Sequence, residues 1–150
     1  MRLEVGGDTT ASSLKRLSKN DVKMNLFAQQ LLEDGAVHVS RQAEIIKVTI
    51  KTPFEFGLYF GAILDELIQK MKQCGLSVCP IEFTLYLRLQ DLALCLGEYL
   101  AVDSSPISED ESYPRGIYIR NLEDGLWLRG FRSSVDFTFP PSMNFVFINS

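Results

Sequence analysis

Histidine and tryptophan occur once each in this 150-residue chain, as His38 and Trp127, and cysteine three times, as Cys74, Cys79 and Cys95. With one histidine, any nucleophile–base pair of the usual kind must use His38, and its neighbours Val37, Val39 and Ser40 form no nucleophile pattern. An odd number of cysteines, with four residues between the first two, has neither the parity of a disulfide framework nor the spacing of a zinc or redox pair. A zinc site would need all three cysteines and His38 to converge, so the thiols are expected to be reduced, buried and apolar in role. The ten glycines match neither the nucleotide nor the dinucleotide phosphate-binding fingerprint. The adjacent carboxylates Asp65 and Glu66 point apart on a helix, and Asp110 and Glu111 fall in a loop stretch. No enzyme, cofactor or metal is expected. The longest apolar runs, Leu92 to Leu96 and Phe145 to Ile148, are far short of the roughly 20 residues that span a bilayer as a helix. Met1 to Thr10 carries Glu4 and Asp8 and lacks the apolar core of a secretory signal, so an intracellular, cytoplasmic protein is expected.

Forty-six per cent hydrophobic and 23% charged residues over this length describe one ordinary domain, large enough to fold without metals or disulfides. The net charge of −4 argues against specific nucleic-acid binding, which needs a clustered positive excess. The charge is unevenly spread. Residues 1 to 23 hold Arg2, Lys15, Arg16, Lys19 and Lys23 against three acids, whereas residues 82 to 136 hold ten acids and five arginines.

Residues 1 to 12, with Gly6, Gly7 and no periodicity, read as a flexible arm ahead of one domain at 13–150. From Ser18 a helix is expected, with Val22, Leu26, Phe27 and Leu31 on its apolar side and Gly35 as its stop. Residues 36 to 51 alternate as one or two strands, with Lys47, Thr49 and Lys51 on the wet face. Thr52, Pro53, Phe54 and Glu55 form a capping-box pattern, which predicts a helix running from there through Met71 to Gly75, with Gly57 and Gly61 inside it. Ile81, Phe83, Leu85, Leu87 and Leu89 alternate with polar residues and predict a strand. Asp91 to Val102 fits strand or helix, with a strand or hairpin return favoured.

Residues 103 to 115, which include Glu109, Asp110 and Glu111, read as an exposed acidic loop where Ser108 matches an acid-directed phosphorylation pattern. Gly116 to Arg120 and Leu126 to Arg132 then flank Asp124-Gly125, a hairpin turn pair. Val135, Phe137 and Phe139 extend the alternation, Pro140 and Pro141 break it, and Phe145 to Ile148 form a last strand. The fold class is therefore α+β: an antiparallel sheet packed by two main helices, with a β-rich carboxyl half. If Ile117, Ile119, Leu126 and Leu128 face the core, Tyr118, Arg120, Trp127 and Arg129 face outward with the composition of a protein interface.

The basic leader with Ser12, Ser13, Leu14, Lys15 and Arg16, followed by a strand, a long helix and a β-rich remainder, resembles matrix proteins of non-segmented negative-strand RNA viruses. These are matrix proteins of the rhabdovirus and bornavirus type, and the stretch LYLRLQDLALCL, Leu85 to Leu96, is similar in rhythm to a strand pair of the small bornavirus-type members. The resemblance covers about half the chain as element order. It implies a non-enzymatic virion protein that self-associates beneath a membrane and contacts nucleoprotein. The chain departs from that family in its acidic charge, and Pro140-Pro141-Ser142-Met143 lacks the tyrosine of the usual budding motif. On this reading Lys15, Arg16, Lys19 and Lys23 supply an electrostatic contact with anionic membrane. The competing reading is a small acidic protein-binding module, such as a secretion chaperone or an immunity protein, that holds a basic client.

Overall fold

The computed structural model describes residues 1–35, 37–89, 97–103, 112–132, 134 and 136–149. Ser108 and most of the acidic stretch, Cys95, Val135 and residues 90–96 lie outside them. Among the described residues the chain runs β1 (Arg2–Val5), α1 (Thr10–Lys19), β2 (Lys23–Met24), α2 (Leu26–Glu33), β3 (Glu44–Lys51) and a 3-10 turn (Phe54–Phe56). It continues α3 (Leu64–Gln73), β4 (Leu76–Val78), α4 (Phe83–Leu89), β5 (Tyr99–Asp103), β6 (Gly116–Leu122), β7 (Gly125–Phe131) and β8 (Asn144–Asn149). The strands make one mostly antiparallel sheet in the order β1-β3-β8-β5-β6-β7-β2, so the α+β class holds. On the edge of β8 away from β3, the strand pairs β5 near its start and β4 near its end.

One face of this sheet carries α1, α2 and α4. Leu17 of α1, Leu31 of α2 and Leu85 and Leu87 of α4 are 0% exposed, and they close a core with Val48, Leu100, Ile117, Ile119, Leu128 and Val146. Among the described residues the other face is covered only in part. There α3 and the 3-10 turn place Phe56, Leu67 and Met71 over Phe145 and Phe147 of β8.

The amino-terminal residues expected as an arm are instead built into the fold. Leu3 and Val5 are buried where β1 pairs with β3, and Thr9 Oγ1 accepts the Ser12 N–H at 3.1 Å to cap α1. An alternation of only four residues is too short to stand out as periodicity. The helix expected from Ser18 is two helices, because Asn20 and Asp21 end α1, with Asp21 at a left-handed φ of 55°, and Asn25 starts α2. The Asn25 side chain accepts from Ala28 N–H at 3.0 Å and Gly130 N–H at 2.8 Å and donates to the Gly130 carbonyl at 2.9 Å, so it caps α2 and ties it to β7. Gly130 is required there, since a Cβ would meet the Phe27 and Ala28 backbone at 2.7 Å.

At Thr52 the capping box forms, with Glu55 N–H donating to Thr52 Oγ1 and Thr52 N–H to Glu55 Oε1, both at 3.2 Å. It caps one 3-10 turn and not a long helix, because Gly57 turns left-handed with φ 86°. The helix proper begins at Leu64, where the Glu66 carboxylate accepts the Ile63 N–H at 3.2 Å, and it ends before Gly75 as expected. The strand expected at Ile81 to Gln90 is also corrected: residues 83–89 are helix α4. Thr84 to Arg88 are all buried, so the alternating leucines reflect a helix enclosed on every side and not a half-wet strand.

Candidate functional site

The hairpin β6–β7 forms with the two-residue loop Glu123-Asp124, and its register pairs Tyr118 with Arg129 and Arg120 with Trp127. Alternation then sorts the side chains. Ile117, Ile119 and Leu128 are at most 1% exposed on the helix-covered face, while Tyr118, Arg120, Trp127 and Arg129 are half-buried on the other. The four side chains expected to form an interface thus share one face, and neighbouring strands extend it. Tyr99 of β5 pairs with Arg120, and Lys23 of β2 pairs with Trp127, so one row across four strands reads Tyr99, Arg120, Trp127, Lys23.

Cations and rings alternate along and beside this row in contact. The Arg120 guanidinium lies 4.1 Å from the Tyr99 ring centre, Arg129 lies 5.1 Å from that of Trp127, and the Lys23 ammonium lies 5.8 Å from the same ring. Arg120 Nε also donates to the Gly97 carbonyl at 3.1 Å. Trp127 Nε1 donates to Asp124 at 2.8 Å, and that bond, with Lys23 3.6 Å away, holds the exposed Asp124 carboxyl below its ordinary value. The Tyr99 and Tyr118 rings are 5.0 Å apart. Burial raises the Tyr118 phenol, against the opposing pull of the Arg129 and Arg120 charges, so the neutral hydroxyl is the form present near neutral pH.

Beside the row the sheet opens into a cleft of about 650 Å³. Tyr99, Tyr118 and Phe131 form its floor, and the segment carrying Phe137, Phe139, Pro140 and Met143 forms its wall, with Arg132 at the rim. Phe139 anchors the wall, packing edge-on against Phe131, Phe137 and Phe145 at centroid distances of 5.1 to 6.4 Å. Sequence reading does not single out Tyr99 or the cleft aromatics. Their signal is there as the repeated phenylalanines between Phe131 and Phe145, but a broken alternation around Pro140 and Pro141 does not say which surface they line.

The expected membrane-contact residues separate into two groups. Lys15, Arg16 and Lys19 lie on α1, where Arg16 reaches Asp8 at 3.4 Å, whereas Lys23 belongs to the arginine–aromatic row. Asp8 is held below the usual carboxylate range, first by the Thr9 N–H and then by hydroxyls of α1 and Arg16. The residues weighed for zinc are of mixed burial: Cys74 is exposed, and Cys79 is buried, its thiol pushed up to about 12 by burial and by Glu82. Among the described residues no group of three His, Cys, Asp or Glu side chains is placed to hold a metal ion, and no helix is long and apolar enough to cross a membrane. No protein-family model matches the chain, and no curated protein or solved structure shows significant similarity to it.

Proposed function

We propose that the protein is a non-enzymatic assembly protein that works by associating with protein partners, itself included, through the uncovered face of β5, β6 and β7. One observation carries this reading: the row Tyr99, Arg120, Trp127, Lys23, with Tyr118 and Arg129 beside it, sets partly exposed aromatics against cations on a sheet face that, among the described residues, no helix covers. Binding hot spots of protein interfaces are enriched in Tyr, Trp and Arg, the aromatics because they bury much area with few rotatable bonds and keep a polar handle, and arginine because its planar guanidinium stacks on rings and offers five donors. On an isolated monomer the same groups leave a rigid, partly desolvated surface unused. A matrix-like role, self-association with peripheral contact to anionic membrane, belongs to this proposal, and the clustering of Lys15, Arg16 and Lys19 on one helix supports it.

The test is Trp127→Ala, followed by light scattering and thermal unfolding on the same samples. Loss of a central anchor should weaken association about thirtyfold, equivalent to about 2 kcal/mol, without a matching loss of thermal stability. A variant that unfolds many degrees earlier yet associates normally would make Trp127 a core residue and end the proposal. For the membrane contact, Lys15→Glu with Lys19→Glu should abolish co-sedimentation with phosphatidylserine vesicles at low salt. Equal sedimentation of the variant and the parent chain would remove that contact.

A further inference from the structure

Strand β1 is at one end of the sheet and, among the described residues, pairs with β3 alone. The register fixes which backbone groups that pairing uses. The Met1 amino group donates to the Val48 carbonyl at 3.0 Å, and the Val48 N–H donates to the Met1 carbonyl at 2.8 Å, so these two residues exchange both hydrogen bonds. Hydrogen-bonding sides alternate along a strand, so Leu3 and Val5 also turn their backbone groups to β3, opposite Ile46 and Glu44. The N–H and C=O groups of Arg2 and Glu4 therefore point to the outer edge, where no described residue gives them a backbone hydrogen bond. Their side chains are exposed, while those of Leu3 and Val5 enter the core. Outward donors and acceptors of this kind are a template for another extended strand.

Charge selects the strand. Arg2 stands opposite Lys47, a like charge, and Glu4 stands opposite the exposed apolar Ile45, so neither has an opposite charge across the ladder. Of the other charges at this corner, Arg16 is engaged with Asp8, and Glu44 lies beyond the outward pair, opposite Val5. When two such edges meet antiparallel, only Arg2 and Glu4 can form hydrogen-bonded pairs, because only they present backbone groups outward. Setting Arg2 against Arg2, or Glu4 against Glu4, opposes like charges. Setting Arg2 against the partner's Glu4 opposes unlike charges twice and forms both hydrogen-bonded pairs, and the acid also offsets the Arg2–Lys47 contact. We infer that the outer edge of β1 pairs antiparallel with β1 of a second copy of the chain, about a two-fold axis between the two Leu3 residues, so that two sheets join into one. A strand edge guarded by one sign of charge repels its own copy, whereas this edge carries one of each at the spacing that makes it complementary to itself. The contact closes after two copies. It lies at the end of the sheet away from β6 and β7, so it goes beyond the assembly reading above and does not depend on it.

Sedimentation velocity at low salt on the full chain tests this with Arg2→Glu and Glu4→Arg, two substitutions at exposed positions whose folding is checked by circular dichroism. The parent chain should dimerise, and each variant alone, which opposes like charges at both pairs, should do so at least about tenfold more weakly. An equimolar mixture of the two variants should recover a 1:1 dimer, because each acidic position of one then meets a basic position of the other. A monomeric parent chain, variants that dimerise as the parent does, or a mixture that recovers nothing would each overturn the inference. Trp127→Ala separates the two surfaces. If it weakens self-association that both edge variants leave intact, the reading of the β5–β7 face stands and this inference is wrong. If self-association survives Trp127→Ala and is lost in both edge variants but recovered in their mixture, it belongs to β1.

Discussion

Neighbouring residues of one hairpin meet two different surroundings. Ile117, Ile119 and Leu128 are sealed beneath α2 and α4, while Tyr118, Trp127 and Arg129, one position away, lie on a face that α3 leaves open. The helix-covered face is mainly aliphatic, and of its few buried polar groups Thr84 donates to the Ile81 carbonyl at 2.7 Å and Arg88 to the Asn121 side chain at 2.9 Å. The open face is aromatic and cationic, and its polar groups are held by ring contacts and by hydrogen bonds to loops. The first surface answers to folding, and the second is the one proposed to serve association. A sheet of this kind can thus change its binding residues without disturbing its core, because period-two alternation keeps the two sets apart.

That contrast can be broken by paired substitutions. Leu85→Ala, in the sealed face, should cost about 2–5 kcal/mol through a cavity that the enclosed α4 cannot fill, whereas Trp127→Ala should cost about 1 kcal/mol or less. Urea midpoints for the two variants measure the difference, and equal losses would erase the distinction. Asn25→Ala removes a cap and the tie from α2 to Gly130 together, so a loss of about 2 kcal/mol is expected, with α2 amides exchanging faster than those of α4. Hydrogen exchange would read this directly. Thr52→Ala should cost less than about 1 kcal/mol, since the box caps a single turn and not a long helix. A larger shift in the denaturant midpoint would show that the loop it starts is more tightly coupled to the core.

The smallest expected effect is on the open face. Asp124 has its folded-state carboxyl held below the ordinary value of 3.8, so its ionised form favours folding above that value and the benefit fades as pH falls through the lower, folded one. Trp127 fluorescence should therefore change below pH 3.8, when the carboxylate that accepts the indole N–H is protonated. Asp124→Asn should flatten that titration, and an unchanged profile would mean the indole senses another group.

The carboxyl half is largely readable from the sequence. Asp124-Gly125 marks the hairpin, Phe145 to Ile148 lies in a central strand, and strict alternation correctly sends Tyr118, Arg120, Trp127 and Arg129 to the face opposite Ile117 and Ile119. The first half is less so, for identifiable reasons. Enclosed α4 has no wet face, so Ile81 to Leu89 has no helical period to detect; β1 is too short to be periodic; and Gly57 terminates a turn whose cap chemistry is indistinguishable from that of a helix. The cleft is hidden for another reason. It is assembled from β5, β6, β7 and the Phe137–Met143 segment, residues that no local pattern connects.

Strand β8 follows every other named strand in the chain, yet it lies between β3 and β5 in the middle of the sheet. During synthesis, then, two partial sheets, β1 with β3 and β5 with β6 and β7, wait with unpaired inner edges until Asn144 to Asn149 leaves the ribosome and joins them. Exposed strand edges are templates for wrong pairing, so this interval is when the chain is most open to aggregation. The late arrival also sets the order in which the open face is built. Phe145 supports Phe139, and Phe139 anchors the cleft wall and pairs with Ala62 ahead of α3, so that side of the sheet is incomplete until β8 is in place. On the proposed reading, association through this face waits for β8.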